Sequence, residues 1–176
     1  TLVPLGNVAY RMNLLSALIG AGAVTLVYLI TMSLTRRTIA SLATATVFAI
    51  NAAVWRQSGV ASVGPLTMFF MAAVIYAAFL WREKRASLAF VAFVFGLALT
   101  HHHSIFLFFP GLIFLVLLED FKILFRPREL GRIAIYFSIP LLIYLYVPIR
   151  GTVSEWYSNS LESFFTEVVG TDAGDF

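Results

Sequence analysis

The sequence predicts an all-α fold, a polytopic bundle of transmembrane helices followed by one amphipathic interfacial helix. Three observations carry this. Of 176 residues, 60% are hydrophobic and 12% charged, where soluble domains run near half and a quarter, and mean hydropathy is +0.90. Runs of spanning length occur without a charge, Leu14 to Leu34 among them. Between the runs, the basic residues fall on alternate loops rather than evenly.

Taken in order, six stretches read as candidate spans: Met12 to Leu34, Ile39 to Val54, Val60 to Trp81, Ala86 to Thr100, Ser104 to Leu118 and Ile133 to Val147. The second, fourth and fifth are short. At 1.5 Å per residue, about fifteen residues reach roughly 22 Å, against a hydrocarbon core near 30 Å. Those three either lengthen by snorkelling of their flanking charges or do not fully cross. The fourth and fifth, separated by three histidines and Ser104, could also form a re-entrant pair.

If all six cross, one side receives Arg36, Arg37, Arg82, Lys84, Arg85, Lys122, Arg126, Arg128 and Arg132, and the other only Arg11, Arg56 and Arg150. Short basic loops resist translocation, so the first set is expected in the cytoplasm. The histidines and the C-terminal segment are then extracytoplasmic. Two regions follow: 1–150, a transmembrane bundle, and 151–176, an extracytoplasmic segment. In the latter, Asn159 and Glu162 have capping-box spacing, and Leu161, Phe164, Phe165, Val168 and Val169 recur on one helical face. The opening TLVPLG has no basic leader and the ending TDAGDF is abrupt, so the chain reads as part of a longer one. No internal repeat is visible.

The absence of Cys excludes thiolate metal sites and disulfides. The net charge of +3 resides in topology loops, so membrane lipids are the expected partners and nucleic acid is not. His101, His102 and His103 stand out. Successive helical residues point about 100° apart, so the three cannot converge on one ion. They read either as polar residues at a wet helix end or as binders of an anionic headgroup. Arg150 and Arg56 break the charge rule, which suggests an anionic partner for a guanidinium fork, or else interfacial snorkelling. Asn51, Thr44 and Thr46 read as hydrogen-bonding glue between helices. Among outer acids Glu155, beside Trp156, is best placed to serve a site; Glu162 is explained as a cap. The segment contains no complete catalytic constellation.

The stretches VPLGNVAYRMNLLSALIGAGAV, FAINAAVWRQSGVASV, FGLALTHHHSIFLFFPGLIFL, YLYVPIRG and EWYSNSLESFFTEVVG resemble, in that order, a bacterial polytopic family of the GT-C glycosyltransferase superfamily, related to transmembrane protein O-mannosyltransferases. The resemblance implies a GT-C-like enzyme of the bacterial inner membrane, with an extracytoplasmic site and a polyprenyl-phosphate sugar as lipid-linked donor. It is compatible with a divalent metal, with no cofactor firmly implied. It carries His102 over as a phosphate-binding position, with His101 beside it and Arg150 closing the Pro-x-Arg motif. Arg56 would support the same vestibule, and the interfacial helix would guide the lipid. Two departures are expected to matter. The acidic catalytic residue would precede Thr1, and Ser62 stands where related proteins carry an acid at the start of the third span, so a diverged, inactive member is also compatible. The alternative is a scaffold subunit of a larger membrane complex, with one histidine ligating a haem or pigment.

Overall fold

A computed structural model describes residues 7–146. Arg150, Glu155 and the amphipathic stretch expected over 159–170 lie outside the described residues. Within them the chain is helical throughout: α1 (Val8–Thr35), α2 (Thr38–Ala49), α3 (Ala52–Ser58), α4 (Gly64–Arg82), α5 (Leu88–Leu99), α6 (Phe109–Asp120) and α7 (Pro127–Leu141), with 3-10 turns at His103–Phe108, Phe121–Phe125 and Leu142–Leu145.

Local chemistry sets the boundaries. Asn7 caps α1 by accepting from the Tyr10 amide, and Ser87 caps α5 by accepting from the Phe90 amide. Pro65, Pro110 and Pro127 stand in the first turns of α4, α6 and α7, where a missing N–H costs nothing. Arg36 and Lys84 adopt the left-handed conformation that closes α1 and α4. Pro140 lies within the last turn of α7, and the next residues tighten into a 3-10 turn.

Among the described residues, three helical segments are long and apolar enough to cross a membrane: Val8–Thr35, Gly64–Arg82 and His103–Phe125. The α2–α3 pair makes a fourth if its 63° bend is counted within one span. The sequence alone reads Ile39 to Val54 as continuous; the break occurs because Asn51 turns back to accept from the Ala53 amide and so caps α3. Asn51 is therefore a cap rather than interhelical glue. Thr44 likewise donates within its own helix, to Ala40 O. The 12-residue α5 is short of the hydrocarbon thickness by itself.

The helices expose their apolar residues. Ile39, Leu107 and Phe125 are more than three-quarters exposed, and the His103–Phe125 segment is scarcely buried. Such surfaces require lipid as solvent, where packing rather than water exclusion holds helices together. Small residues accordingly sit at the contacts. Gly20 faces Ser58 of α3, Gly22 faces Phe69 of α4, and Gly96 of α5 abuts the Phe137 carbonyl of α7. Ala72, Ala77 and Ala78 give α4 a buried, close-approach face.

Candidate functional site

Polar contacts divide the bundle into two ends. At one, Arg36 (Nη2 to Oε1, 2.6 Å) and Arg85 (Nη1 to Oε2, 3.3 Å) share Glu83, tying α1 to the end of α4. Arg82 reaches Glu119 on α6 at 3.6 Å, Arg126 meets Asp120 at 2.9 Å and Arg132 meets Glu129 at 3.8 Å. The four carboxylates of the described residues all lie here, among the basic loops. This grouping matches the set that the charge count places together.

The opposite end is built without carboxylates among the described residues. Helix α5 stops at Thr100, whose hydroxyl donates back to Leu97 O at 2.7 Å. His102 then turns extended, at φ −153° and ψ 125°, and starts the 3-10 turn. Ile105 of that turn is fully buried against Val74, Phe95 and Ala98, pinning the turn to α4 and α5. Tyr144 donates its hydroxyl to Leu99 O at 3.1 Å, bringing the end of the seventh helix region to the same place.

The hydrogen bonds assign the imidazole protons. Thr67 donates its hydroxyl to Val63 O (2.9 Å), while His101 Nε2 lies 3.1 Å from Thr67 Oγ1 and 3.2 Å from Val63 O. With the Thr67 proton already committed and a carbonyl unable to donate, Nε2 of His101 must carry the hydrogen. That donor is spent on α4, and Phe70 packs against the ring. His102 Nδ1 instead accepts from the Ser104 amide at 3.2 Å. Its hydrogen therefore sits on Nε2, which has no protein acceptor among the described residues. His102 is half-buried; His103 is exposed and stacks on it at 4.8 Å.

The rings of this turn stack or pack rather than converge, and no group of three His, Asp or Glu suited to a metal ion occurs among the described residues. The divalent ion compatible with the resemblance has no fitting donor set among the described residues.

Arg56 projects from α3 beside a shallow groove of about 430 Å³, lined also by Ala53, Gln57, Val60 and Ser62. It makes no hydrogen bond to the histidines among the described residues, though both belong to the same end. Two bonds make the link: Ala61 N donates to Asn13 Oδ1 of α1 (2.8 Å), and His101 reaches Val63 O. Ser62, at the position where an acid was expected, donates to Gln57 O at 3.3 Å.

Sequence reasoning passed over Asn13, Thr67 and Tyr144. Each is a polar residue in an apolar run, which is the available signal, but its partner is 34 to 48 residues away in the chain.

The family model for the Protein O-mannosyl-transferase TMEM260 N-terminal domain matches residues 1–124, from the start of the chain through α6 and the histidine turn. The chain belongs to this family. Protein O-mannosyl-transferase TMEM260 of Mus musculus is 31% identical to it over 97% of the chain. The chain spans 27% of the length of that curated relative. No solved structure matches it. For this TMEM260-type domain, the match covers the whole end built by α1, the α3–α4 loop and the histidine turn, while α7 and Tyr144 lie beyond it.

Proposed function

We propose that the chain is part of a GT-C-type membrane glycosyltransferase that moves a sugar from a polyprenyl-phosphate donor to an acceptor on the extracytoplasmic face. The family match supports the transferase class, and the name of the mouse relative, a protein O-mannosyl-transferase, supports O-mannosylation as its form. The observation that carries the site assignment is the Nε2–H of His102, which has no acceptor among the described residues while Nδ1 is engaged in capping the 3-10 turn.

In this reading the Nε2–H donates to a non-bridging oxygen of the donor phosphate. As the bond between the sugar and the phosphate breaks, negative charge gathers on the leaving phosphate, and a fixed donor there stabilises the transition state more than the ground state. Arg150 supplies a bidentate guanidinium to the same group. Arg56 adds positive potential at the vestibule edge, and His101 positions the turn through Thr67 and Val63. Glu155 is assigned to the acceptor side. The catalytic carboxylate is assigned, as the resemblance implies, to the family's first outer loop, upstream of Thr1. By the positive-inside rule the Glu83 end faces the cytoplasm. The scaffold reading, with a haem or pigment on one histidine, gains nothing from the family match.

The test uses the full-length protein and a radiolabelled sugar on a polyprenyl phosphate. Asn at position 102 retains a good N-cap but removes the imidazole donor. His102→Asn is expected to fold normally and to lose transfer by about 10²-fold, the size of one lost oxyanion donor. Unchanged transfer overturns the assignment. Failure of the wild type to transfer from any polyprenyl-phosphate sugar overturns the donor class itself.

A further inference from the structure

The cytoplasmically assigned end carries a second feature that the transferase reading does not use. Helix α6 packs on α4 and α5 through Leu112, Leu115 and Val116. Farther round, it stands off from α5 and α7 and leaves an open groove of about 500 Å³. Its wall is apolar throughout, with Trp81, Ala92, Phe95, Ile123, Ala134 and Phe137 among the lining residues.

The rim has the opposite character. Lys84 lies 5.8 Å from the centroid of the Trp81 ring, and Trp81 lines the groove. Lys122 directly precedes the groove residue Ile123, and Arg128 is two residues before Leu130, which also lines it. Arg82, Arg126 and Arg132 of the same end are matched with Glu119, Asp120 and Glu129, whereas Lys84, Lys122 and Arg128 have no carboxylate at ion-pair distance among the described residues. An apolar trough with unneutralised cations at its basic end is complementary to a molecule with a hydrocarbon chain and an anionic head.

Size favours a chain over a helix. If a methylene takes about the 30 Å³ that a water does in the liquid, roughly sixteen fit in this space. A helix, at about 10 Å or more in diameter, could only cover the groove. We propose that the α5–α6–α7 groove holds one anionic glycerophospholipid, an acyl chain along the wall and the phosphate among Lys84, Lys122 and Arg128.

Trp81 offers a direct readout. The full-length protein is reconstituted into vesicles of phosphatidylcholine containing a small fraction of either phosphatidylglycerol or phosphatidylcholine brominated near the carboxyl end of one acyl chain. Quenching that disappears in Trp81→Phe reports the groove. Half-quenching is expected at about a hundredfold less brominated phosphatidylglycerol than brominated phosphatidylcholine, since three surface cations act together on the anionic head. The Lys84→Gln/Lys122→Gln/Arg128→Gln variant, which changes exposed side chains only, is expected to bring the two lipids to equal potency. Ala92→Phe/Ala134→Phe is expected to fill the groove and abolish the Trp81 component. Equal quenching by both lipids in the wild type overturns the headgroup assignment. No Trp81-dependent quenching by either means that protein covers the groove and overturns the site.

Discussion

The two ends of the bundle solve the problem of polar groups beside a membrane in different ways. At the Glu83 end, charge meets charge: Glu83 is held between Arg36 and Arg85, and its side chain is only 15% exposed. At the histidine end, polar side chains are bonded to backbone: His101 to Val63 O, Tyr144 to Leu99 O, Asn13 to Ala61 N. Ion pairs consume their own hydrogen-bonding capacity and fix the ends of helices. A turn capped by an imidazole consumes one ring nitrogen and leaves the other, in His102, without an acceptor among the described residues. The first arrangement suits anchoring and the second suits recognition.

The largest effect should come from exchanging the two functions of one histidine. His102→Gln can restore a donor near the Nε2 position while losing the short cap, so it should keep more transfer than His102→Asn yet be less stable by about 1 kcal/mol. Activity in detergent and Tm measured on both variants should rank in opposite order; the same order for both would mean that cap and donor are not separate. Next, Glu83→Ala leaves two arginines without their shared carboxylate. A loss of about 1–2 kcal/mol is expected from hydrogen bonds to charged groups that are partly screened, seen as a lower Tm with the donor KM unchanged. A changed KM would show that the two ends are coupled.

Smaller again, Thr67→Val removes one of the two oxygens that His101 Nε2 meets, the other being Val63 O. About 1 kcal/mol of stability should go, with a fall in kcat rather than a rise in KM if His101 positions the turn. Tyr144→Phe should cost a similar or lesser amount, because a single hydroxyl-to-carbonyl bond is lost. The smallest and opposite effect belongs to Lys84→Gly. Lys84 has φ 61°, and glycine relieves the left-handed strain by up to about 1 kcal/mol, less whatever the contact with Trp81 contributes. A clear drop in Tm would show that contact to be the stronger term.

The membrane class, the helical class and the grouping of basic loops were legible because each depends on composition along the chain. Uncharged length reports lipid burial, and Lys and Arg mark the ends of what is buried. The bend at Asn51 was not legible. No charge interrupts Ile39 to Val54, and whether an Asn caps a new helix or bonds across to another depends on where the backbone goes. The break at the histidines was legible, since three histidines and Ser104 interrupt two apolar stretches. Their division of labour was not, because it needs Thr67, 34 residues away, to occupy His101 and leave His102 its open nitrogen.

Sequence alone therefore determined the solvent, the helical class and which loops share an end, all of which follow from transfer of side chains and backbone into hydrocarbon. Tertiary structure decided where the helices touch, through Gly20, Gly22 and Gly96, and where they part to open the α6 groove. In a bilayer the buried and lipid-facing sides of a helix are equally apolar. Only the packed structure separates them, and with them the nitrogen of His101 that is spent on α4 from that of His102, which has no acceptor among the described residues.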